Sequence, residues 1–329
     1  MTDSRLKVAE RRLQPLFSKL LIAGAFFLLL ASDSRPELPD RTPMSERLVP
    51  VRYAPVVLGK AEGGVRVTGA WIIEADDPRL AGLSGLAVLD TRTLVAVSDS
   101  GVLIDLPKPG SSAPGRFRDL IGGPGFPTFK KYRDSEALLV RRDSRTPGSI
   151  VYEISFEHRH ALIAYSQAGR RLFRVPLPRT GWPANKGAEA IAPDGQGGQL
   201  IFAEQGRELL VRTRSGIVRR PLAGATGGVA DAVLLPDGRI VVAVREVGLT
   251  GLRNRLAWLE REGGGYRLRN FATLPLGPLD NVEGLAAEPQ SGVGAVLWAV
   301  TDNDGWRRTL LLRMEIAPSL QGRWQPPSG

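Results

Sequence analysis

The sequence predicts an all-β fold: a β-propeller of five or six blades, each of about four antiparallel strands. Three observations predict it. A short phrase recurs along the chain, a small or acidic residue leading an apolar run. It reads Ser84-Gly85-Leu86-Ala87-Val88, Glu136-Ala137-Leu138-Leu139-Val140, Glu189-Ala190-Ile191-Ala192, Asp231-Ala232-Val233-Leu234-Leu235 and Glu283-Gly284-Leu285-Ala286-Ala287. The leading residues lie 52, 53, 42 and 52 positions apart, and strand-only repeats of roughly 40 to 50 residues mark propeller blades. Turn signals stand between paired apolar runs, as in Pro193-Asp194-Gly195 and Pro236-Asp237-Gly238. There proline pre-sets the first turn dihedral, and Asp and Gly suit the later positions.

Taken from the N-terminus, residues 1–32 read as a signal peptide or N-terminal anchor. Arg5, Lys7, Arg11, Arg12 and Lys19 precede the apolar run Leu20 to Ala31, which is short for a membrane span and right for a signal core. Leu29 stands where cleavage prefers a small residue, so an uncleaved tether to the inner membrane stays open as an alternative. Either way the expected location is periplasmic or secreted. Residues 33–50, with Pro36, Pro39, Pro43 and Pro50 among charges, read as a linker. Residues 51–329 are the expected propeller domain.

Within that domain Val65 to Glu74 alternates as a strand. The first repeat pairs Leu86–Leu89 with Leu94–Val97, the third Ala190–Ala192 with Leu200–Ala203, and the fourth Val233–Leu235 with Ile240–Val244. The last repeat retains only Leu310–Ile316 for its outer part. Propellers commonly close by completing one blade from both chain ends, so Val65–Glu74 is the expected missing strand. That count gives five blades. The Gly/Pro-rich stretch from Pro107 to Lys131 is long for a loop, and with residues 50–80 it leaves a sixth, irregular blade open.

Bulk properties narrow the function classes. With 329 residues, 43% of them hydrophobic, the chain can bury a large core in one unit. It has no cysteine, so neither disulfides nor thiol chemistry enter. The formal charge of +10 favours anionic partners at long range. No Lys/Arg cluster is interleaved with aromatics, so nucleic-acid binding is not expected. A monomer acting on a small anionic molecule is the expectation.

Two sets of polar residues recur. One leads each inner strand: Ser84, Glu136, Glu189, Asp231 and Glu283. The other follows the neighbouring strand: Asp99, Glu157, Glu204, Glu246 and Asp302. Adjacent hairpin strands are antiparallel, so both sets fall at one mouth of the central channel. Carboxylates so crowded raise one another's pKa unless a cation intervenes, and Ca²⁺, with six to eight oxygen ligands, is the natural one. Pairing of each acid with a nearby arginine is the competing reading.

Both histidines lie in Glu157-His158-Arg159-His160. On an extended strand His158 and His160 would face one ligand; Arg159 would face away or, from a loop, grip a phosphate bidentately. A solvated strand end is the alternative. Zinc is not favoured, for want of a third histidine or a cysteine. Lys186 and Arg245 fall near the same mouth, to hold an anion or to neutralise the ring.

Four phrases in order, Gly82-Leu83-Ser84-Gly85-Leu86, Asp134-Ser135-Glu136-Ala137-Leu138, Asn185-Lys186-Gly187-Ala188-Glu189-Ala190 and Asp280-Asn281-Val282-Glu283-Gly284-Leu285, resemble the phytase-like family of exported bacterial proteins, also called esterase-like activity of phytase. The resemblance spans roughly residues 65–316. It implies a propeller related to calcium-dependent phosphoesterases, with Glu136, Glu189 and Glu283 as channel-mouth acids and Ser84 and Asp231 in equivalent places. Ser84 departs from the acidic pattern. The expected function is therefore a calcium-dependent phosphoric ester hydrolase. Glu136, Glu189, Glu283 and His158 are its candidate catalytic groups, and Ser84, Arg159, His160, Lys186 and Arg245 its candidate substrate contacts. Glu136, Glu189, Asp231, Glu283, Asp99, Glu157, Glu204 and Asp302 are the candidate metal ligands. Two alternatives stand beside it: a non-catalytic envelope propeller that binds a ligand or protein, and a lactonase-like hydrolase.

Overall fold

The computed structural model describes residues 41–142, 146, 148–183, 186–290, 294–302 and 308–317. The expected signal segment and most of the linker lie outside them, as do Asn185 and Asn303-Asp304-Gly305. No helix among the described residues is long and apolar enough to cross a membrane.

Four strands precede the first repeat: β1 (Arg47–Val49), β2 (Val51–Pro55), β3 (Glu62–Gly63) and β4 (Val65–Ala75). Blade 1 follows as β5 (Leu83–Val88), β6 (Thr93–Ser98), β7 (Val102–Pro107) and β8 (Gly115–Asp119). After the short helix α1 (Lys130–Arg133), blade 2 is β9 (Ser135–Arg142), β10 (Ile150–Phe156), β11 (Ala161–Ser166) and β12 (Arg171–Pro176). Blade 3 is β13 (Ala188–Pro193), β14 (Gln199–Ala203), β15 (Glu208–Thr213) and β16 (Gly216–Ala223). Blade 4 is β17 (Gly228–Leu234), β18 (Ile240–Gly248), β19 (Gly251–Glu262) and β20 (Gly265–Thr273). Blade 5 is β21 (Asn281–Gln290), β22 (Gly294–Asp302) and β23 (Leu310–Ile316), with β4 pairing antiparallel to β23 as its fourth strand.

The described residues thus form five blades, closed by the N-terminal strand. The stretch from Pro107 to Lys131 supplies β8 and a loop rather than a sixth blade. The inner strands β5, β9, β13, β17 and β21 touch in cyclic order, the last against the first. A second latch lies outside the first. β1 pairs with β8 on blade 1 and β2 with β4 on blade 5, so nine consecutive residues tie the outer edges of the two blades that meet at closure. The linker reading over 33–50 therefore overlaps a structural strand, β1.

Inner and middle strands are apolar on both faces because each blade is packed between two others. Leu94 and Ala96 join a cluster shared with blade 5, while Val95 and Val97 join one shared with blade 2. Each of the five junctions has one such cluster, and their burial is the main stabilising term.

Every inner strand carries a β-bulge near its start. Leu83 opposes Ser98 and Gly85 opposes Val97, leaving Ser84 extra. Glu189 is extra in blade 3 and Glu283 in blade 5. In blade 2, Glu136 and Ala137 together oppose Ser155. A bulge re-aims one side chain out of the pleat, here toward the channel. In blade 4 the extra residue is Ala230, not Asp231. The expectation that Asp231 stands in phase with the glutamates is corrected by one residue. Because side chains alternate along a strand, one step sends Asp231 elsewhere.

Candidate functional site

Glu136, Glu189 and Glu283 are brought to the channel by these bulges. The ends of the second strands meet them in register. Asp99 N donates to Gly82 O, Glu157 N to Asp134 O and Glu204 N to Gly187 O; Gly228 faces Arg245 and Asn281 faces Asp302. Arg245 rather than Glu246 therefore holds blade 4's place, while Glu246 pairs with Arg255 at 2.8 Å. Among the described residues at the mouth, the carboxylates Asp99, Asp134, Glu136, Glu157, Glu189, Glu204 and Glu283, with Asp302 at the end of β22, outnumber the permanent cations Lys130, Lys186 and Arg245. Lys130 pairs with Asp99 at 2.6 Å and Lys186 with Glu204 at 2.8 Å. Arg245 bridges Glu283 and Glu204, the latter at 3.4 Å.

Burial and mutual repulsion show in the acidities. Glu136 is held well above the carboxylate range, first by the protein surrounding it and then by Glu189, Asp134, Glu283 and Glu157. Glu189, 6% exposed, is likewise raised by burial, then by Glu283 and Glu204, with Arg245 opposing. Glu157 is pushed up to about 8 by burial and by the hydrogen bond and charge of Asp134. Burial also lifts Asp99, against the pull of Lys130.

Two groups present converging ligand atoms, all within 4.8 Å of one another: Glu157, Glu189 and Glu204, and Asp134, Glu157 and His158. Oxygens bound at roughly 2.4 Å on opposite sides of a Ca²⁺ ion are about 4.8 Å apart, so the spacing fits a single hard cation. The first group is all oxygen and suits Ca²⁺ better than the second. Glu157 belongs to both.

The remaining candidates divide. Asp231 is latched away from the mouth, its Oδ2 accepting from Leu285 N at 2.6 Å and its Oδ1 from Ala232 N at 2.8 Å. Ser84 Oγ donates to Ser135 O, and Ser135 Oγ to Ser98 O at 2.6 Å, so both hydroxyls stitch blade 1 to blade 2. Ser155 does the same for blades 2 and 3, accepting from Ala137 N and donating to Ala188 O at 2.7 Å. Asp302 stands at the end of β22, half-buried.

The two histidines do not share a face. Residues 157–160 form a turn in which His160 N donates to Glu157 O, and His160 takes φ +39°, a left-handed value no strand allows. His158 Nε2 lies 3.4 Å from Asp134 at the mouth. His160 instead meets the edge of Trp182, ring centroids 6.0 Å apart. Exposed Arg159 lies over the Tyr132 ring at 5.4 Å.

Sequence reasoning missed Asp134 and Lys130. Asp134 has a signal, standing two residues before the marker just as Asn281 precedes Glu283. Lys130 has none, because α1 lies outside the repeat.

A family model described as "Phytase-like: Esterase-like activity of phytase" matches residues 78–305. No curated protein matches the chain. Among solved structures, a catalytically inactive virginiamycin B lyase of Staphylococcus aureus with quinupristin is 10% identical, at TM-score 0.42 over 83% of this chain and 100% of that one. Myxococcus xanthus glutaminyl cyclase is 14% identical, at TM-score 0.43 over 82% and 99%. The PQQ-bound aldose sugar dehydrogenase of Streptomyces coelicolor is 12% identical, at TM-score 0.39 over 79% and 100%. Likenesses this distant carry nothing about activity.

Proposed function

Since the chain belongs to the phytase-like, esterase-like-activity-of-phytase family, we propose that it is an exported, calcium-dependent phosphoric ester hydrolase working at the acidic channel mouth. One observation carries this reading. Glu157, Glu189 and Glu204 converge within 4.8 Å in a ring whose carboxylates outnumber its cations, and hard-cation binding is the ordinary remedy for such crowding. Bound there, Ca²⁺ supplies charge neutralisation for a phosphate and lowers the cost of water attack.

The chain's own residues supply the rest. Arg245 and Lys186, on neighbouring blades, are placed to grip phosphate oxygens. Glu136, held well above the usual carboxylate range by burial and its acidic neighbours, is placed to give its proton to the departing alkoxide. His158, oriented by Asp134, is placed to take the proton from the attacking water. Glu283 holds Arg245 and accepts from Asn281 Nδ2, positioning the cation rather than reacting. Export rests on residues 1–32, outside the described structure.

The test is turnover of aryl phosphates, phytate and carboxylic esters by the purified protein, with Ca²⁺ or with chelator. We expect phosphate release that chelator abolishes, and its loss in Glu189→Gln. No turnover on any substrate would end this reading; full activity in Glu189→Gln would remove the ring from the mechanism.

A second reading, a non-catalytic envelope propeller that binds a ligand, is favoured by the ion pairs of Lys186 and Arg245, which neutralise part of the ring without metal. Calorimetry separates the two, since only the hydrolase reading requires Ca²⁺ binding.

A further inference from the structure

A cavity of about 470 Å³ opens at the mouth between blades 3, 4 and 5. Its lining is polar at Lys186, Glu204, Gln205, Arg245 and Asn281 and apolar at Val247 and Leu252. Those two belong to the hairpin of β18 and β19, whose ladder continues past Arg245 to the pair Gly248–Gly251. Val247 is 80% exposed, and Leu249 at the tip is fully so.

The hairpin is braced. Leu252 N donates to Pro278 O at 2.8 Å. Gly251 takes φ +110° against Pro278, where a Cβ would come within 2.5 Å. The bracing loop is itself pinned, with Asp280 accepting from Gly277 N and Arg308, each at 2.8 Å. Asn254 Nδ2 donates to Asp280 O at 2.7 Å. A braced backbone thus presents apolar side chains to water beside the Arg245 guanidinium and the Lys186 ammonium. Exposed apolar surface rimming a polar cleft of this volume marks a ligand site.

We propose that this cavity takes an amphiphilic monoanion or dianion, an ester whose single phosphate sits between Arg245 and Lys186 and whose alkyl or aryl group lies against Val247 and Leu252. The proposal rests on the hydrolase reading above and names its substrate class. Among the described residues lining the cavity the cations are Lys186 and Arg245, and in the ring behind it the described carboxylates outnumber the cations. A multiply phosphorylated substrate would bring more charge than these residues neutralise, whereas an apolar leaving group meets matching surface. In the reaction the bond from phosphorus to the ester oxygen breaks, and the water oxygen takes its place on phosphorus. One proton ends on the departing alcohol.

The test pairs binding with turnover on the full chain in Ca²⁺. Calorimetry should show hexylphosphonate binding at least tenfold tighter than methylphosphonate, and Val247→Ser, or Val247→Ser with Leu252→Ser, should cut that ratio below threefold. Val247 is exposed, so the single variant keeps its fold. Equal affinities in the wild type, or a ratio untouched in both variants, overturn the assignment. Hexyl phosphate should be hydrolysed with higher kcat/KM than phytate. Turnover that favours phytate sinks this inference and leaves the hydrolase reading standing. Chain-length-dependent binding without turnover of any ester sinks the hydrolase reading and leaves the amphiphile site.

Discussion

Asp231 Oδ2 accepts the backbone amide of Leu285 at 2.6 Å, joining the inner strands of blades 4 and 5. Its other oxygen accepts from Ala232 N, so a buried carboxylate serves as a strap between blades. Burial raises its pKa well above the usual range, while these two amides pull it down. Asp231→Ala leaves both amides without this partner in a buried junction, at a cost of about 1–3 kcal/mol. We expect a melting midpoint lower by several degrees with Ca²⁺ affinity unchanged within threefold. Lost Ca²⁺ binding in a folded variant would return Asp231 to the ligand set.

Arg245 has the opposite character, being fully part of the charged mouth. Its pKa is raised by Glu283 above all, despite burial, with Glu189 and Glu204 adding. Two charges about 4 Å apart at an effective dielectric near 20 interact by about 4 kcal/mol, so a third of that is about tenfold in affinity. Arg245→Met should tighten Ca²⁺ binding about tenfold and raise KM for a phosphomonoester about tenfold. Titration calorimetry and steady-state kinetics check the two signs separately; weaker Ca²⁺ binding contradicts the assigned role.

The raised acidities set the pH dependence of the metal-free protein. Glu157 reaches about 8, and Glu136 and Glu189 also stand well above their ordinary values. Between the unfolded carboxylate range near 4 to 5 and those folded values, the native state binds more protons than the unfolded chain. Stability is therefore greatest below that window and falls as pH rises through it. With chelator present, the melting midpoint should drop from pH 5 to pH 8.5. Ca²⁺ binds the deprotonated groups, so its stabilising increment should grow over the same range. A midpoint that climbs with pH in chelator would show that these carboxylates are not crowded.

Much of this architecture is legible in the chain. The apolar runs and Pro-Asp-Gly turns specify the hairpins, and Leu310–Ile316 without an outer partner points to Val65–Glu74 as the closing strand. Three glutamates, Glu136, Glu189 and Glu283, are readable because they lead the repeat. Blade 4 is not readable in the same way. Its Ala230-Asp231-Ala232 has small residues on both sides, so the apolar pattern does not say which residue is the bulge. The same one-residue slip makes Arg245, not Glu246, the ring member. His160 escapes because a left-handed turn residue has no periodic signature, and Lys130 because an irregular helix delivers it.

Closure offers the last test. An added Cβ on Gly284 would lie 2.8 Å from Leu86 Cβ and Leu86 N, across the junction where blade 5 meets blade 1. Gly85 approaches Leu138 N as closely at the next junction, 2.9 Å. The equivalent positions Ala137 and Ala190 each accommodate a methyl group, so the glycines mark where inner strands come nearest. Gly284 does not have a left-handed φ, and the penalty of a side chain there is steric. Gly284→Ala must push the two strands apart at the seam, costing about 1–3 kcal/mol. Denaturant unfolding should show a lowered midpoint, while Ala190→Gly, which only removes a methyl from blade 3, should cost about 1 kcal/mol. A neutral Gly284→Ala would mean that closure between β21 and β5 is looser than the backbone approach implies.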